Sequence, residues 1–172
     1  MKKLSLNLSS FIVIILFSIS FSYSDENNII KGKAIVVDGD TIKIKGEQIR
    51  FGGIDAPESY FMGKKQTCFE DNKKIFCGQI SKDKLIEKIG NNSVNCKVEN
   101  KDKYKRSVGE CFIKEESLSV FMVRNGYALD WPYYSKGKFA KDQEYAKLNK
   151  LGVWNMEFEF PWKWRKKVRE NK

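Results

Sequence analysis

The sequence predicts an α+β fold in which five strands close into a small β-barrel, with three α-helices in the middle and at the end of the chain. Short segments with apolar residues at every second position indicate strands that have one buried face. Three other segments have apolar residues at helical spacing, and each is followed by glycine or by Asn-Gly. The 172 residues contain no internal repeat and no low-complexity linker, so we expect a single domain over residues 25–172.

The first three strands are predicted close together in the sequence. Residues 33–37 form the first, and the second and third carry alternating apolar residues over 42–44 and 49–51. Tight turns are expected at the Asp-Gly pair 38–39 and the Lys-Gly pair 45–46.

The remaining elements follow from turn signals and periodicity. A polar connection over residues 100–106 separates two strand-like segments, which we expect to pair antiparallel. In chain order the predictions are a loop over 60–76, a helix over 79–89, strands over 93–99 and 107–113, and helices over 117–124 and 139–151.

The tail over residues 157–172 alternates aromatic residues with other residues and crowds basic side chains around the last ring. Such interleaving is typical of single-strand nucleic-acid binding, where rings stack on bases and charges meet the backbone. The alternative, which we favour, is that the rings pack on the barrel, because a row of exposed bulky rings would be a liability. The aromatic residues are Phe158, Phe160, Trp162 and Trp164.

Composition limits the chemistry. Lys and Arg number 32 against 22 Asp and Glu, and the pI near 9.4 suits a polyanionic partner, although lysine-rich surfaces also occur without one. The chain has no histidine, which excludes a Ser-His-Asp triad and a histidine-ligated zinc site. A general base must therefore be a carboxylate or a lysine.

Residues 1–24 have the pattern of a secretory signal peptide. Two lysines precede a mostly apolar run over 11–21, and small residues occupy positions 22 and 24. The run is short for a membrane span, so we expect no stable span once the signal is cleaved, and a periplasmic or secreted protein. An uncleaved anchor is the alternative.

Export predicts that the four cysteines form two disulfides, because disulfides form in oxidising compartments. Four cysteines allow three pairings. Cys96 and Cys111 lie in neighbouring strands and can face one another, so Cys68 and Cys77 would close the insertion that follows Glu58. A four-cysteine metal site is the competing hypothesis, but neither pair has the close spacing of a zinc knuckle.

Acidic residues gather at the predicted strand ends, with one arginine among them. Carboxylates hold hard cations, and the planar fork of arginine grips phosphate. The combination predicts metal-assisted chemistry on a phosphate ester. The residues are Asp38, Asp40, Arg50, Asp55 and Glu58.

These residues occur in the pattern D-G-D-T, then R, then G-I-D-A-P-E, which closely resembles the staphylococcal nuclease (thermonuclease) family. The resemblance continues at D-K-Y-K-R (102–106), at V-R-N-G-Y-A (123–128) and at G-V-W (152–154), and covers roughly residues 32–155. It implies an oligonucleotide-binding (OB) fold, a five-stranded barrel with three helices.

The resemblance also implies a secreted, calcium-dependent phosphodiesterase that cuts single-stranded or melted DNA and RNA and leaves 3′-phosphate and 5′-hydroxyl ends. Oxygen-only ligands suit calcium over zinc. Carried over by position, Asp40, Asp55 and the carbonyl of Ala56 bind calcium, Glu58 is the general base, Arg50 and Arg106 bind the phosphate, and Tyr104 contacts substrate. Lys103 and either Tyr133 or Tyr134 are further expected substrate contacts. A monomer is expected.

Two features depart from the family pattern. Lys105 stands where the family usually has glycine, so a turn that requires positive φ would strain the loop and misplace Arg106. The cysteine-bearing insertion over 63–78 borders the site and would narrow substrate access.

Two other classes of protein compete with a nuclease. A non-catalytic nucleic-acid-binding module with the same barrel would be expected to have lost at least one residue of the set Asp40, Arg50, Asp55, Glu58 and Arg106, and all are present. An oligosaccharide-binding barrel fits poorly with the basic charge and the paired arginines.

Overall fold

The structure is a computed structural model that describes residues 28–171, and the predicted signal peptide over residues 1–24 lies outside the described residues. The strands are β1 Ile29–Gly32, β2 Ala34–Asp38, β3 Thr41–Ile44, β4 Glu47–Phe51, β5 Ile54–Asp55, β6 Cys68–Glu70, β7 Lys73–Ile75, β8 Val94–Lys101, β9 Ser107–Ile113, β10 Glu116–Ser117 and β11 Leu129–Asp130. The helices are α1 Cys77–Ile89, α2 Leu118–Arg124, α3 Pro132–Ser135, α4 Ala140–Leu148 and α5 Pro161–Glu170, with a 3₁₀ turn at Gly152–Asn155.

The main sheet curls into the barrel. Its strand order is β1-β8-β9-β4-β3-β2, with the short β10 added beside β9. Lys33 alone separates β1 from β2, so one stretch of chain forms both edges of the sheet and closes it. Counting β1 and β2 as a single bent strand beside β3, β4, β8 and β9 gives the predicted five-stranded barrel, and the α+β OB-fold prediction is confirmed.

The core of the barrel follows the alternation seen in the sequence. Ile42 and Ile44 from β3 and Ile49 and Phe51 from β4 are fully buried, while the residue between each pair is exposed or half-buried. Leu118 of α2 joins the same apolar cluster. Strands β4 and β9 run parallel, which brings the start of β9 beside the end of β4.

Several boundaries differ from the predictions. Residues 29–32, for which no strand was predicted, form β1, because Ile30 finds a strand partner opposite Cys96. The segment predicted as a loop over 60–76 contains the hairpin β6–β7, and Phe69 also pairs with Glu157 in the tail. These strands depend on tertiary partners, which local sequence patterns do not reveal.

The described residues contain five α-helices, two more than predicted. The first addition, α3, is a single turn that begins at a proline. The second, α5, also begins at a proline and carries basic residues in its last turn, both favourable for a helix. Its start at Pro161 was hidden because the aromatic alternation over 158–164 favoured an extended chain. None of the helices within residues 28–171 is long and apolar enough to cross a membrane.

Both predicted disulfides are formed. Cys96 and Cys111 are directly opposed on β8 and β9, with Cα atoms 4.0 Å apart. Cys68 and Cys77 join the start of β6 to the first residue of α1 with Cα atoms 5.7 Å apart. The cysteines are therefore used as two bridges, one inside the barrel and one in the insertion.

Candidate active site

Four acidic residues, the carboxylate cluster, meet at one edge of the barrel. Asp38 ends β2, Asp40 lies in the turn before β3, Asp55 ends β5, and Glu58 follows in the next loop. Asp40 and Asp55 are almost completely buried, which is unusual for charged side chains unless they are paired. The strand ends therefore bring together the acids that the sequence predicted.

Arg50 joins two members of the cluster. Its position on β4 is opposite Thr41 of β3, next to Asp40. The guanidinium Nη1 donates to Asp40 Oδ1 at 2.8 Å, and Nη2 donates to Asp55 Oδ1 at 2.7 Å. Burial alone would lower the pKa of Arg50, but the charges of Asp40 and Asp55 outweigh it and raise the pKa. Arg50 is thus a permanently charged bridge between the two predicted metal ligands.

Asp40 is held in one orientation by further hydrogen bonds. The backbone N–H of Ala56 donates to Oδ2 at 3.0 Å, and the Thr41 hydroxyl donates to Oδ1 at 2.8 Å. The turn itself requires glycine, since a Cβ at Gly39 would lie 2.0 Å from the hydroxyl oxygen of Ser81. Asp40 and Ala56, two of the predicted calcium ligands, are therefore in direct contact.

Burial and the proximity of other carboxylates raise the pKa values of three acids in the cluster. Burial, followed by repulsion from Asp40, raises the pKa of Asp38 to about 6 and the pKa of Glu58 to about 7. Burial also raises the pKa of Asp55 to about 6, against the opposing effect of Arg165. These shifts arise first from burial, which disfavours the charged carboxylates, and then from repulsion by Asp40.

A residue that the sequence did not point to completes the cluster. Arg165 of α5 donates from Nη1 to Glu58 Oε1 at 2.5 Å and from Nη2 to Asp55 Oδ2 at 2.9 Å. The side chain is 12% exposed. Burial acts to lower the pKa of Arg165, but Asp55 and Glu58 raise it overall. A proline followed by two tryptophans was the available sequence signal for a packed helix in this segment. Nothing in the sequence distinguished Arg165 from the lysines beside it.

The backbone of Glu58 is supported by the insertion. The Glu58 N–H donates to Gln66 Oε1 at 3.1 Å, and the Gln66 N–H donates to the Glu58 carbonyl at 3.0 Å. Gln66 is fully buried and also donates through Nε2 to the Glu159 carbonyl at 2.7 Å. A Cβ at Gly78 would lie 1.9 Å from the Glu58 carbonyl oxygen, so the start of α1 packs on the same backbone. Sequence reasoning missed Gln66 entirely.

Arg106, the second predicted phosphate-binding arginine, has different partners. Its Nε and Nη2 both bind Asp102 Oδ2 at 2.7 Å, and its guanidinium lies 5.5 Å from the ring centre of Tyr104. Within the described residues, its ion pair is with Asp102 and none joins it to the carboxylate cluster. Lys105 has φ +64°, so the positive φ anticipated for this position is present. The strained lysine and the Asp102 pair together set the orientation of Arg106.

The predicted substrate-contacting residues lie on exposed surfaces. Tyr104 is exposed, and the ammonium group of Lys103 lies 5.1 Å from its ring centre. Tyr133 and Tyr134 of α3 are 71% and 60% exposed. They are connected to the site through Trp131, whose ring meets Tyr134 edge-on and whose backbone N–H donates to the Gly53 carbonyl.

The donor set fits a hard divalent cation in its chemistry. The predicted ligands offer oxygen only, and four carboxylates face two guanidinium groups, Arg50 and Arg165. Two negative charges are therefore uncompensated when all four acids are ionised. Within residues 28–171, no three acidic, histidine or cysteine side chains form a ready metal site. A cation bound by Asp40 and Asp55 would need backbone carbonyl and water oxygens as well.

Fold and site together define a class of protein: a small closed barrel with a carboxylate and guanidinium centre suited to phosphate esters. The family described as staphylococcal nuclease homologue matches residues 48–156. The chain belongs to the staphylococcal nuclease family, as the resemblance of its motifs indicated.

Curated relatives extend this comparison. The succinoglycan biosynthesis protein ExoI of Rhizobium meliloti is 32% identical over 126 residues, which cover 72% of this chain and 63% of that protein. Endonuclease YhcR of Bacillus subtilis is 31% identical over 153 residues, 73% of this chain but 12% of that protein. An uncharacterized endonuclease of Haemophilus influenzae is 27% identical over 167 residues, 92% of this chain and 85% of that protein. The chain thus spans less than two thirds of the first two relatives.

Proposed function

We propose that this protein is a secreted, calcium-dependent nuclease that hydrolyses phosphodiester bonds in DNA and RNA and leaves 3′-phosphate and 5′-hydroxyl ends. The observation that carries the proposal is the Arg50 bridge between Asp40 and Asp55, with Glu58 beside it, in a chain of the staphylococcal nuclease family. Relatives that are named endonucleases support the same reaction class.

Asp40, Asp55 and the carbonyl of Ala56 would hold calcium. When bound, the ion neutralises phosphate charge and makes a nearby water more acidic. The hydrogen bond from the Ala56 N–H to Asp40 keeps these groups adjacent. Because the cluster carries excess negative charge, a divalent cation also relieves the repulsion among its carboxylates.

Glu58 acts as the general base. Its carboxylate takes a proton from the attacking water, the water oxygen forms a bond to phosphorus, and the bond to the 5′ oxygen breaks in line. The departing 5′ oxygen takes a proton from solvent and leaves as the 5′-hydroxyl. A pKa raised to about 7 places this group near the pH at which a general base works best. The Glu58 N–H donates to Gln66 Oε1, which fixes the backbone of Glu58, and Arg165 donates to its carboxylate and holds it in place.

Arg50 and Arg106 stabilise the charge that develops on the phosphoryl oxygens. Arg50 has five N–H donors and three hydrogen bonds within the described residues, so donors remain for a phosphate. Arg106 binds Asp102 through Nε and Nη2, so the donors of its Nη1 are available for the substrate. Lys103, Tyr104, Tyr133 and Tyr134 contact the nucleotide chain, for which exposed rings and charges are suited.

We also propose that the protein acts as a monomer outside the cytoplasm. Its two disulfides support this location, because such bridges persist in oxidising compartments.

Purified protein lacking residues 1–24 tests the function. It should degrade a single-stranded DNA oligonucleotide and an RNA of the same sequence with calcium, and more slowly a matched duplex. Product fragments should accept radiolabelled phosphate at their 5′ ends without prior phosphatase treatment, since those ends are hydroxyls. A chelator and the variant Asp40→Asn serve as controls. DNA binding without cleavage in calcium would assign the protein to the non-catalytic class instead.

A further inference from the structure

The contact between α5 and the carboxylate cluster is the feature that the proposed function leaves unexplained. Arg165 lies 110 residues after Asp55 in the sequence, yet it is more buried than Arg50 and meets two carboxylates with two different nitrogens. We propose that Arg165 is a positioning residue of the active site, which holds the general base Glu58 and the metal ligand Asp55 at a fixed separation. This inference rests on the proposed function.

Ring contacts hold α5, the helix that carries Arg165, on both sides of the segment from Asp55 to Glu58. Trp162 stacks on Trp131 with ring centres 5.7 Å apart and planes 10° apart. Trp164 packs on Phe61, three residues beyond Glu58, with ring centres 6.3 Å apart. The backbone N–H of Trp131 in turn donates to the carbonyl of Gly53, two residues before Asp55. The tail aromatics therefore pack as favoured above, and the packing delivers Arg165 to the cluster.

The shape of arginine suits this role. A guanidinium is planar and rigid, so Nη1 on Glu58 and Nη2 on Asp55 set both carboxylates relative to each other. A lysine ammonium is a single point and cannot impose that spacing. Arg165 also lies 5.8 Å from the Trp131 ring centre, which further limits its motion.

Charge gives a second reason. When all four acids are ionised and Arg165 is present, the carboxylates exceed the two guanidiniums by two charges, which one divalent cation balances. Without Arg165, one uncompensated negative charge would remain after the cation binds. Phosphate, an anion, would then approach a negative site. Arg165 thus prepares the cluster for its substrate as well as holding Glu58.

Steady-state cleavage by the parent, Arg165→Gln and Arg165→Lys tests the role, with Lys166→Gln as the matched control. Lys166 lies on the same helix, and its side chain is 77% exposed. Arg165→Gln should lower kcat on the order of 100-fold, as expected when a reacting group is misplaced, and should also raise KM because the phosphate then meets an uncompensated negative charge. Arg165→Lys keeps the charge, but its kcat should remain at least roughly tenfold below that of the parent. Lys166→Gln should match the parent.

Parental kcat in Arg165→Gln or Arg165→Lys would overturn the proposal, as would an equal loss in Lys166→Gln. Faster cleavage by Arg165→Gln at limiting calcium would also overturn it and make α5 an inhibitory cap.

A second measurement needs no cleavage. Thermal unfolding without calcium is compared for the parent, Arg165→Gln, Glu58→Gln and the double variant. The loss in Tm in the double variant should be clearly smaller than the sum of the single losses, because both remove the same contact. Additive losses would overturn the positioning role. If the parent fails to cleave nucleic acid while this coupling is present, the proposed function fails and the Arg165–Glu58 contact stands.

Discussion

The candidate active site has two halves of different origin. The barrel half comprises Asp40, Arg50 and Asp55, which belong to adjacent strands and turns. Their contacts, including the bond from the Ala56 N–H to Asp40, span from 5 to 16 residues. The added half comprises Gln66 of the insertion and Arg165 of α5, and their contacts span from 8 to 110 residues.

The two halves of the site are positioned by different kinds of contact. Strand register alone places the barrel half, since Arg50 on β4 faces Thr41 beside Asp40. Glu58 lies beyond the barrel strands, in a loop that Gln66 and Arg165 hold from two directions. The barrel therefore forms the proposed metal and phosphate site, while segments added to it fix the proposed base. Each prediction below separates these two contributions.

The largest effect is expected where the two halves meet. Glu58→Gln should bind DNA and calcium normally but lose about 10²–10⁴-fold in kcat, because the amide cannot accept the proton. Cleavage assays and calcium titration by calorimetry measure the two properties separately. Glu87→Gln, on the surface of α1, is the matched control. Near-parental turnover with normal calcium binding would remove Glu58 from the mechanism.

Arg106 tests whether the loop between β8 and β9 belongs to the site at all. Arg106→Ala should lower kcat at saturating substrate by about 10²–10³-fold, as for loss of a group that stabilises transition-state charge. Lys103→Gln in the same loop is the control and should mainly raise KM. If Arg106→Ala changes KM alone, Arg106 is a simple phosphate anchor, consistent with its orientation toward Asp102.

One disulfide, Cys96–Cys111, belongs to the barrel, and the other, Cys68–Cys77, belongs to the insertion that supports Glu58. Removing the barrel bridge with Cys96→Ser and Cys111→Ser should lower the free energy of unfolding by about 2–5 kcal/mol, measured by urea denaturation. Removing the insertion bridge at Cys68 and Cys77 should lower kcat in protein that remains folded, because Gln66 lies beside that bridge and supports Glu58. Equal activity in both variants at a temperature where both are folded would contradict the division.

The smallest effect concerns pH. Glu58 has a pKa raised to about 7, first by burial and then by Asp40, so it is protonated below that value and ionised above it. Because only the ionised form accepts a proton, kcat/KM should fall about tenfold per pH unit below the pKa and level off above it. Raising calcium should move the rise to lower pH, since a nearby cation favours the carboxylate. The residual activity of Glu58→Gln should lack this rise.

Sequence reasoning reached the barrel half because its signals are local. Alternating isoleucines, the Asp-Gly turn and the acidic motif lie within one short stretch, and the strands that they predict bring Asp40 to Arg50. The positive φ of Lys105 could also be anticipated, since it depends on a single residue in a turn. The disulfide pairing followed from strand adjacency.

The added half could not be predicted for a physical reason. Gln66 and Arg165 have no local pattern, and each acquires its role only through packing against distant segments. The aromatic alternation in the tail indicated packing but not the helix, since Pro161 begins α5 in the middle of that alternation. Lys163 and Lys166 near Arg165 are also basic, and the sequence alone does not show which of these side chains faces the carboxylate cluster.

The ion pair between Arg165 and Asp55 has a consequence for the order of folding. It joins residues 110 positions apart, and closing so long a segment of chain costs entropy before any contact compensates for it. The pairs within the barrel half span 5 and 10 residues and form at much lower cost. During refolding the acids and Arg50 should therefore come together first, and the docking of α5 should complete the site last.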